Sequence, residues 1–99
     1  MPREGTFQTE FRKDLERVFP GCIVCKLDSS YQQGIPDLLM LWGKFWAIFE
    51  IKKSAHETPR PNQPYYVELL NDWSFAAFVF PENKEEVLDA LQETFRVSR

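Results

Sequence analysis

Asp37, Glu50 and Lys52 are the residues of this chain whose types and spacing could do chemistry. They lie in the stretch Gly34 to Lys53, GIPDLLMLWGKFWAIFEIKK, where two apolar runs, Leu38 to Trp42 and Phe45 to Phe49, flank Gly43-Lys44. Runs of this composition around a short glycine-containing break predict a β-hairpin. With Gly43 and Lys44 as a two-residue turn, Trp42 stands opposite Phe45, and the same count sets Asp37 opposite Glu50. Directly opposed residues have Cβ atoms about 4.5–5.5 Å apart on one face, so two carboxylates meet at the open end of the hairpin. Alternation puts Lys52 on the face of Glu50, together with Leu39, Leu41, Trp46 and Ile48, and turns Ile51 and Lys53 to the other side.

Like charges opposed at the rim of an apolar face are unfavourable unless something neutralises them. A hard divalent cation answers that need, because Mg²⁺ takes oxygen ligands and keeps several of its waters. A lysine beside it on the strand could hold a water or offset charge developing on a phosphate. The same residues also fit a plainer arrangement, a solvated strand end with Asp37–Lys52 and Glu50–Lys52 ion pairs and no catalysis. Spacing alone leaves both open.

The rest of the chain must position this group. Its 99 residues suit one small domain, and 43% hydrophobic and 15% aromatic residues argue against disorder. No segment approaches the roughly 18 apolar residues of a membrane span, and no basic and apolar leader pattern opens the sequence. A soluble cytoplasmic protein is the expectation. Cys22 and Cys25 sit three apart in an apolar run, face opposite sides of a strand, and read as buried thiols. With one histidine they are too few for a usual structural zinc site. The formal net charge of -3 is unlike a basic nucleic-acid footprint. The surplus is local, however: residues 61–99 carry three basic against seven acidic residues, whereas residues 1–60 carry nine against eight.

Taken in order, Met1 to Gly5 reads as a loose arm and Thr6 as the cap of a helix reaching about Phe19, with Phe7, Phe11, Leu15, Val18 and Phe19 as its buried stripe. Glu10 and Asp14 lie on one margin of that stripe, where they could look into a site at the sheet edge or serve as ordinary flanking charges. Pro20-Gly21 stops the helix, and Cys22 to Leu27 reads as a strand. Asp28 to Gly34 is a polar connection whose hydroxyls and amides could meet phosphate. After the hairpin, Ser54 to Pro64 is a proline-rich loop carrying His56, expected in solvent, and Arg60. Asn62 reads as the cap of a helix from Gln63 to about Asn71, with Tyr66, Leu69 and Leu70 toward the sheet and Asp72 as its breaker. Trp73 to Phe80 reads as a doubly covered strand, and Glu82 to Phe95 as a last helix whose early glutamates suit the positive end of its dipole. The expected fold is α/β, a mixed four-stranded sheet flanked by helices.

Pro36-Asp37, then Glu50-Ile51-Lys52 thirteen positions on from Asp37, resembles the PD-(D/E)XK nuclease signature. The fuller string Gly34-Ile35-Pro36-Asp37-Leu38-Leu39, Phe49-Glu50-Ile51-Lys52-Lys53 and Pro61-Asn62-Gln63 is similar to the virus-type replication-repair nucleases of that superfamily, in the stand-alone phage form that also resembles four-way junction resolvases. The similarity runs from about Thr6 to Phe80. It implies a restriction-endonuclease-like core. Asp37, Glu50, the Ile51 carbonyl and a first-helix acid matching Glu10, with Asp14 as the alternative, would hold Mg²⁺, for which Mn²⁺ would substitute. Lys52 would orient the attacking water, and Gln63 would be the supporting glutamine. With DNA as substrate, Lys26, Ser30, Lys53 and Arg60 are the expected contacts. The resemblance implies cleavage of branched DNA. The small size and thin basic surface add the expectation of a two-fold homodimer, which would double the phosphate contacts, with the aromatic Trp42, Phe45 or Tyr65 as interface candidates. Flap, single-stranded or duplex DNA is the alternative substrate, and a non-catalytic DNA-binding role the alternative function.

Overall fold

The computed structural model describes residues 4–97. In chain order the elements are α1 (Glu4–Val18), β1 (Ile23–Lys26), β2 (Leu38–Trp42), β3 (Phe45–Ile51), α2 (Gln63–Trp73), β4 (Ala76–Val79) and α3 (Lys84–Val97). The strands form one mixed sheet in the order β1-β2-β3-β4. β1, β2 and β3 are antiparallel neighbours, and β4 joins β3 in parallel. The hairpin has the expected register, with Trp42 paired to Phe45 and Leu38 to Phe49. Gly43 takes φ 60 as the first residue of the turn, a left-handed conformation in which glycine is unstrained.

Two helical layers cover the sheet. The α1 stripe Phe7, Phe11 and Leu15, with Phe19 just beyond the helix, and the α3 stripe Val87, Leu88, Leu91 and Phe95 pack with Leu38, Met40, Ala47, Phe49 and Ile51. Phe11 meets Phe49 edge to face at 5.0 Å between ring centres. Burying side chains of this size contributes about 1.5–3 kcal/mol each. On the other face α2 lays Leu70, Tyr66 and Val67 over Ile48, Ala76, Leu39 and Trp46. Glu50 and Lys52 alternate with the residues facing α1, so they belong to the α2 face.

Several element boundaries differ from the sequence expectation. α1 already includes Glu4 and Gly5, so Thr6 lies inside the helix and caps nothing; the first three residues of the expected arm lie outside the described residues. α2 continues to Trp73 because Asp72 is exposed on its outer side, and the helix stops at Ser74, whose N–H bonds the Leu70 carbonyl. Trp73 is therefore a helix residue, 67% exposed, rather than the start of a buried strand. Leu69 lies on the outer side of α2 with Tyr65, Glu68 and Asp72. α3 begins after Asn83, whose side chain accepts from the Phe80 N–H and donates to the Phe78 carbonyl. Cys22 and Cys25 are half-buried, not buried. Among the described residues no helix is long and apolar enough to cross a membrane.

Candidate active site

The two strands of the hairpin and one crossover helix build the site. β3 and β4 run parallel, so α2, which connects them, must start above the C-terminal end of β3 and return along the sheet. Its first residue, Gln63, is thereby delivered to Glu50 and Lys52, with the positive end of the helix dipole behind it. Asn62 precedes it with φ 71 and gives no side-chain cap; its carbonyl, not its amide, serves the helix, accepting the Tyr66 N–H at 3.1 Å. Gly34, itself at φ 89, passes so close that an added Cβ would stand 2.6 Å from the Asn62 Cβ. This glycine lets the polar 28–36 connection press against the start of α2.

Asp37 stands where the β2 ladder runs out. The Lys52 N–H bonds the Val79 carbonyl on β4 at 2.8 Å, whereas the Ile51 N–H points the other way and donates to Asp37 Oδ2 at 2.9 Å. A carboxylate thus replaces a strand carbonyl as ladder acceptor. In an extended strand a residue's carbonyl points to the same side as its N–H, so the Ile51 carbonyl faces the Asp37 side.

Glu50, Lys52 and Gln63 are 3%, 4% and 6% exposed, and their polar atoms are tied together. Gln63 Nε2 donates to Glu50 Oε2 at 3.0 Å, while Gln63 Oε1 accepts from Lys52 Nζ at 2.8 Å and from the Arg60 N–H at 2.7 Å. That bonding fixes which end of the amide points where. Lys52 Nζ also lies 3.6 Å from Glu50 Oε2 and 3.7 Å from Glu57 Oε2. Glu50 Oε1, by contrast, is buried with no hydrogen-bond partner. Burial, then the charge of Asp37, push the Glu50 pKa up to about 8 against the opposing pull of Lys52. Without a cation the pair is thus short of positive charge, and a proton stands in for it. An orphaned carboxylate oxygen beside a second carboxylate and a strand carbonyl is a donor set that suits a hard divalent cation.

The remaining expected residues divide. Ser30 and Arg60 line one cleft of about 270 Å³ with Ser29, Gln33, Gly34 and Gln63, although the Ser30 hydroxyl donates to Asp28 at 2.6 Å. Lys26 is exposed but, paired with Leu38 and grouped with Gln8, Thr9 and Arg12, stands on the α1 side of the sheet, away from Glu50 and Lys52, whereas Lys53 is exposed next to the site. His56 is exposed, as expected. Glu10 is placed elsewhere: with Asp14 it grips Lys84 of α3, at 2.9 and 3.0 Å. The hydrogen bond to Glu10, working against burial and aided by Asp14, raises the Lys84 pKa. The reason is which face α1 covers, since its stripe lies under the sheet while Glu50 and Lys52 lie above it. Among the described residues no three His, Cys, Asp or Glu side chains gather as a ligand group. Trp42 and Phe45 are not free for an interface either; they stack near Phe95 at 6.2 and 4.9 Å.

Glu57 is the residue that the sequence analysis missed. It sits in an aperiodic loop, and its signal is being the sole acid between Glu50 and Glu68, amid Lys52, Lys53 and Arg60. No protein-family model matches the chain, and the comparison with curated proteins gives no match.

Proposed function

We propose that the protein is a divalent-cation-dependent endonuclease of the PD-(D/E)XK type, which hydrolyses phosphodiester bonds of DNA at four-way junctions. The observation that carries this reading is the last rung of the hairpin: Asp37 and a buried Glu50 with an orphaned oxygen, and Lys52 held beside them by Gln63. Asp37, Glu50 and the Ile51 carbonyl would hold Mg²⁺, or Mn²⁺ in its place. When bound, the cation supplies Lewis-acid polarisation of a phosphoryl oxygen and neutralises its charge. Glu10 could join these ligands only by leaving Lys84.

The chain's own residues do the rest. Lys52 presents an ammonium whose hydrogens can orient the attacking water or offset charge on the non-bridging oxygens. Gln63 keeps that ammonium and the Glu50 carboxylate in register. The start of α2 adds its dipole on the same side, and Arg60, Lys53 and the Ser30 loop lie beside the site as phosphate contacts. Water attacks phosphorus, the bridging P–O bond breaks, and the leaving oxygen takes a proton, with no covalent link to the protein. A two-fold dimer would present two such centres to the opposed strands of a junction. Tyr65 remains exposed for such a contact, and Ile23 and Leu41, paired across β1 and β2, are exposed as well.

The test is cleavage of a labelled immobile four-way junction beside duplex, single-strand and flap DNA, with Mg²⁺, Mn²⁺ or EDTA. Paired symmetric cuts that need metal and vanish in Lys52→Ala and Glu50→Gln are the expected result. Cuts confined to another DNA shape would keep the chemistry and change the substrate. Undiminished cutting by both variants, or none by the parent protein with either metal, would overturn the assignment.

A further inference from the structure

Lys52 is a buried ammonium with one hydrogen bond, to Gln63, and two carboxylates close by. Its side chain is 5% exposed, and around Nζ stand Gln63 Oε1 at 2.8 Å, Glu50 Oε2 at 3.6 Å and Glu57 Oε2 at 3.7 Å. A charge at that depth requires a counter-charge. Glu50 Oε2 stands beside it in the cation-free site, but a divalent ion on Asp37 and Glu50 would claim that carboxylate for itself. Gln63 is neutral. The one anion left to Lys52 is then Glu57.

Glu57 is built into that place rather than lying near it. Its other oxygen accepts the Lys53 N–H at 2.9 Å, and its own N–H donates to the Ser54 carbonyl at 3.3 Å, so the loop closes on the end of β3 and presents one oxygen to the lysine. The charges balance only when Glu57 is counted: the carboxylates of Asp37, Glu50 and Glu57 carry three negative charges, and Lys52 with one divalent cation carries three positive. Without Glu57 the loaded site would hold an uncompensated positive charge, shared between the cation and a lysine that repel each other.

On the reading of the site as a cation-dependent nuclease, we infer that Glu57 is a positioning residue that holds the Lys52 ammonium in place when the cation takes Glu50. It touches neither the cation nor the substrate; it acts through Lys52. Two substitutions separate this from a role in holding the loop. Glu57→Gln keeps an oxygen for the Lys53 N–H and removes only the charge facing Lys52, whereas Glu57→Ala removes both.

The experiment measures Mg²⁺ binding by calorimetry without DNA, and kcat and KM for DNA cleavage, in the parent protein and both variants. Amide exchange at Lys53 reports the loop. In Glu57→Gln, Mg²⁺ should bind about tenfold more weakly and kcat should fall about tenfold, with KM for DNA and Lys53 exchange unchanged. Parent-like Mg²⁺ affinity and kcat in Glu57→Gln would overturn the inference, and would reduce Glu57 to a loop staple if Glu57→Ala alone were impaired. Weaker Mg²⁺ binding in Glu57→Gln, with no DNA cut even by the parent protein, would support the Glu57 role in the cation site and sink the nuclease reading instead. A parent protein that neither binds Mg²⁺ nor cuts DNA would overturn both.

Discussion

On the proposed reading of the site, the proton held at Glu50 would make cation binding pH-dependent in a way that can be worked out in advance. A pKa of about 8 means that Glu50 is mostly protonated at neutral pH, whereas a ligating carboxylate must be ionised. Cation binding would therefore expel that proton. Each pH unit below about 8 costs about 1.4 kcal/mol, a factor of ten in apparent affinity. From pH 8 to pH 6 the apparent Kd for Mg²⁺ should rise about fiftyfold, and above about pH 9 it should level off. The stability of the metal-free protein has the matching sign. The folded pKa lies above the ordinary carboxylate value of 4.5, so between about 4.5 and 8 the native state binds more protons than the unfolded chain. Stability is then fully present below that window and declines as pH rises through it, by up to about 1.4 kcal/mol per pH unit. Titration calorimetry in buffers of different ionisation enthalpy reads the released proton directly, close to one per cation at pH 6–7 and none above pH 9. In Glu50→Gln the stability slope should disappear and Mg²⁺ binding should collapse. A Kd for Mg²⁺ that is flat from pH 6 to pH 8, or equal binding by Glu50→Gln, would refute the reasoning.

Three further outcomes follow from the same contacts. Gln63→Ala leaves Lys52 Nζ, Glu50 Oε2 and the Arg60 N–H each short of a partner; it should lower unfolding stability in urea by about 2–4 kcal/mol and reduce cleavage together with it. Gly34→Ala sets a Cβ against Asn62 at a left-handed backbone position and should cost about 1–3 kcal/mol in the same assay, while Gly5→Ala, which meets nothing and lies inside α1, should be neutral or stabilising by up to about 1 kcal/mol. Phe49→Ala removes a fully buried ring packed on Phe11 and Phe75 and should cost about 3–5 kcal/mol by chemical denaturation.

Much of this site was legible because one short turn fixes it. Gly43-Lys44 leaves little freedom in pairing Trp42 with Phe45, and a one-residue slip would have put Phe49 and Ile51 on the wrong face. Asp37, Glu50 and Lys52 follow by parity, and Gln63 follows from the helix that must start above the end of β3. Glu57 was not legible, because its loop has no period to place a side chain. Helical phase put Glu10 at the margin of the α1 stripe, but a partner 74 residues away, Lys84, decided where it points. Trp42 and Phe45 were open to an opposite reading for a related reason: only the packing of α3 shows that Phe95 covers them. Asp72 failed as a helix breaker because exposed polar residues are ordinary on the outer side of an amphipathic helix.

The sheet also acts as a partition between two kinds of evidence. Along β3 the side chains of Phe45, Ala47, Phe49 and Ile51 enter the larger core, while those of Trp46, Ile48, Glu50 and Lys52 stand on the side of α2. A mutational scan that scores abundance and activity separately should record this strand as two interleaved series. The first would lose both scores together, because an unfolded chain does nothing. The second would change character on its way to the C-terminus, from positions whose loss lowers abundance to positions whose loss silences a protein that is still present. On the proposed function, the step between Ile48 and Glu50 would mark where scaffold gives way to instrument, within a single strand and two residues apart.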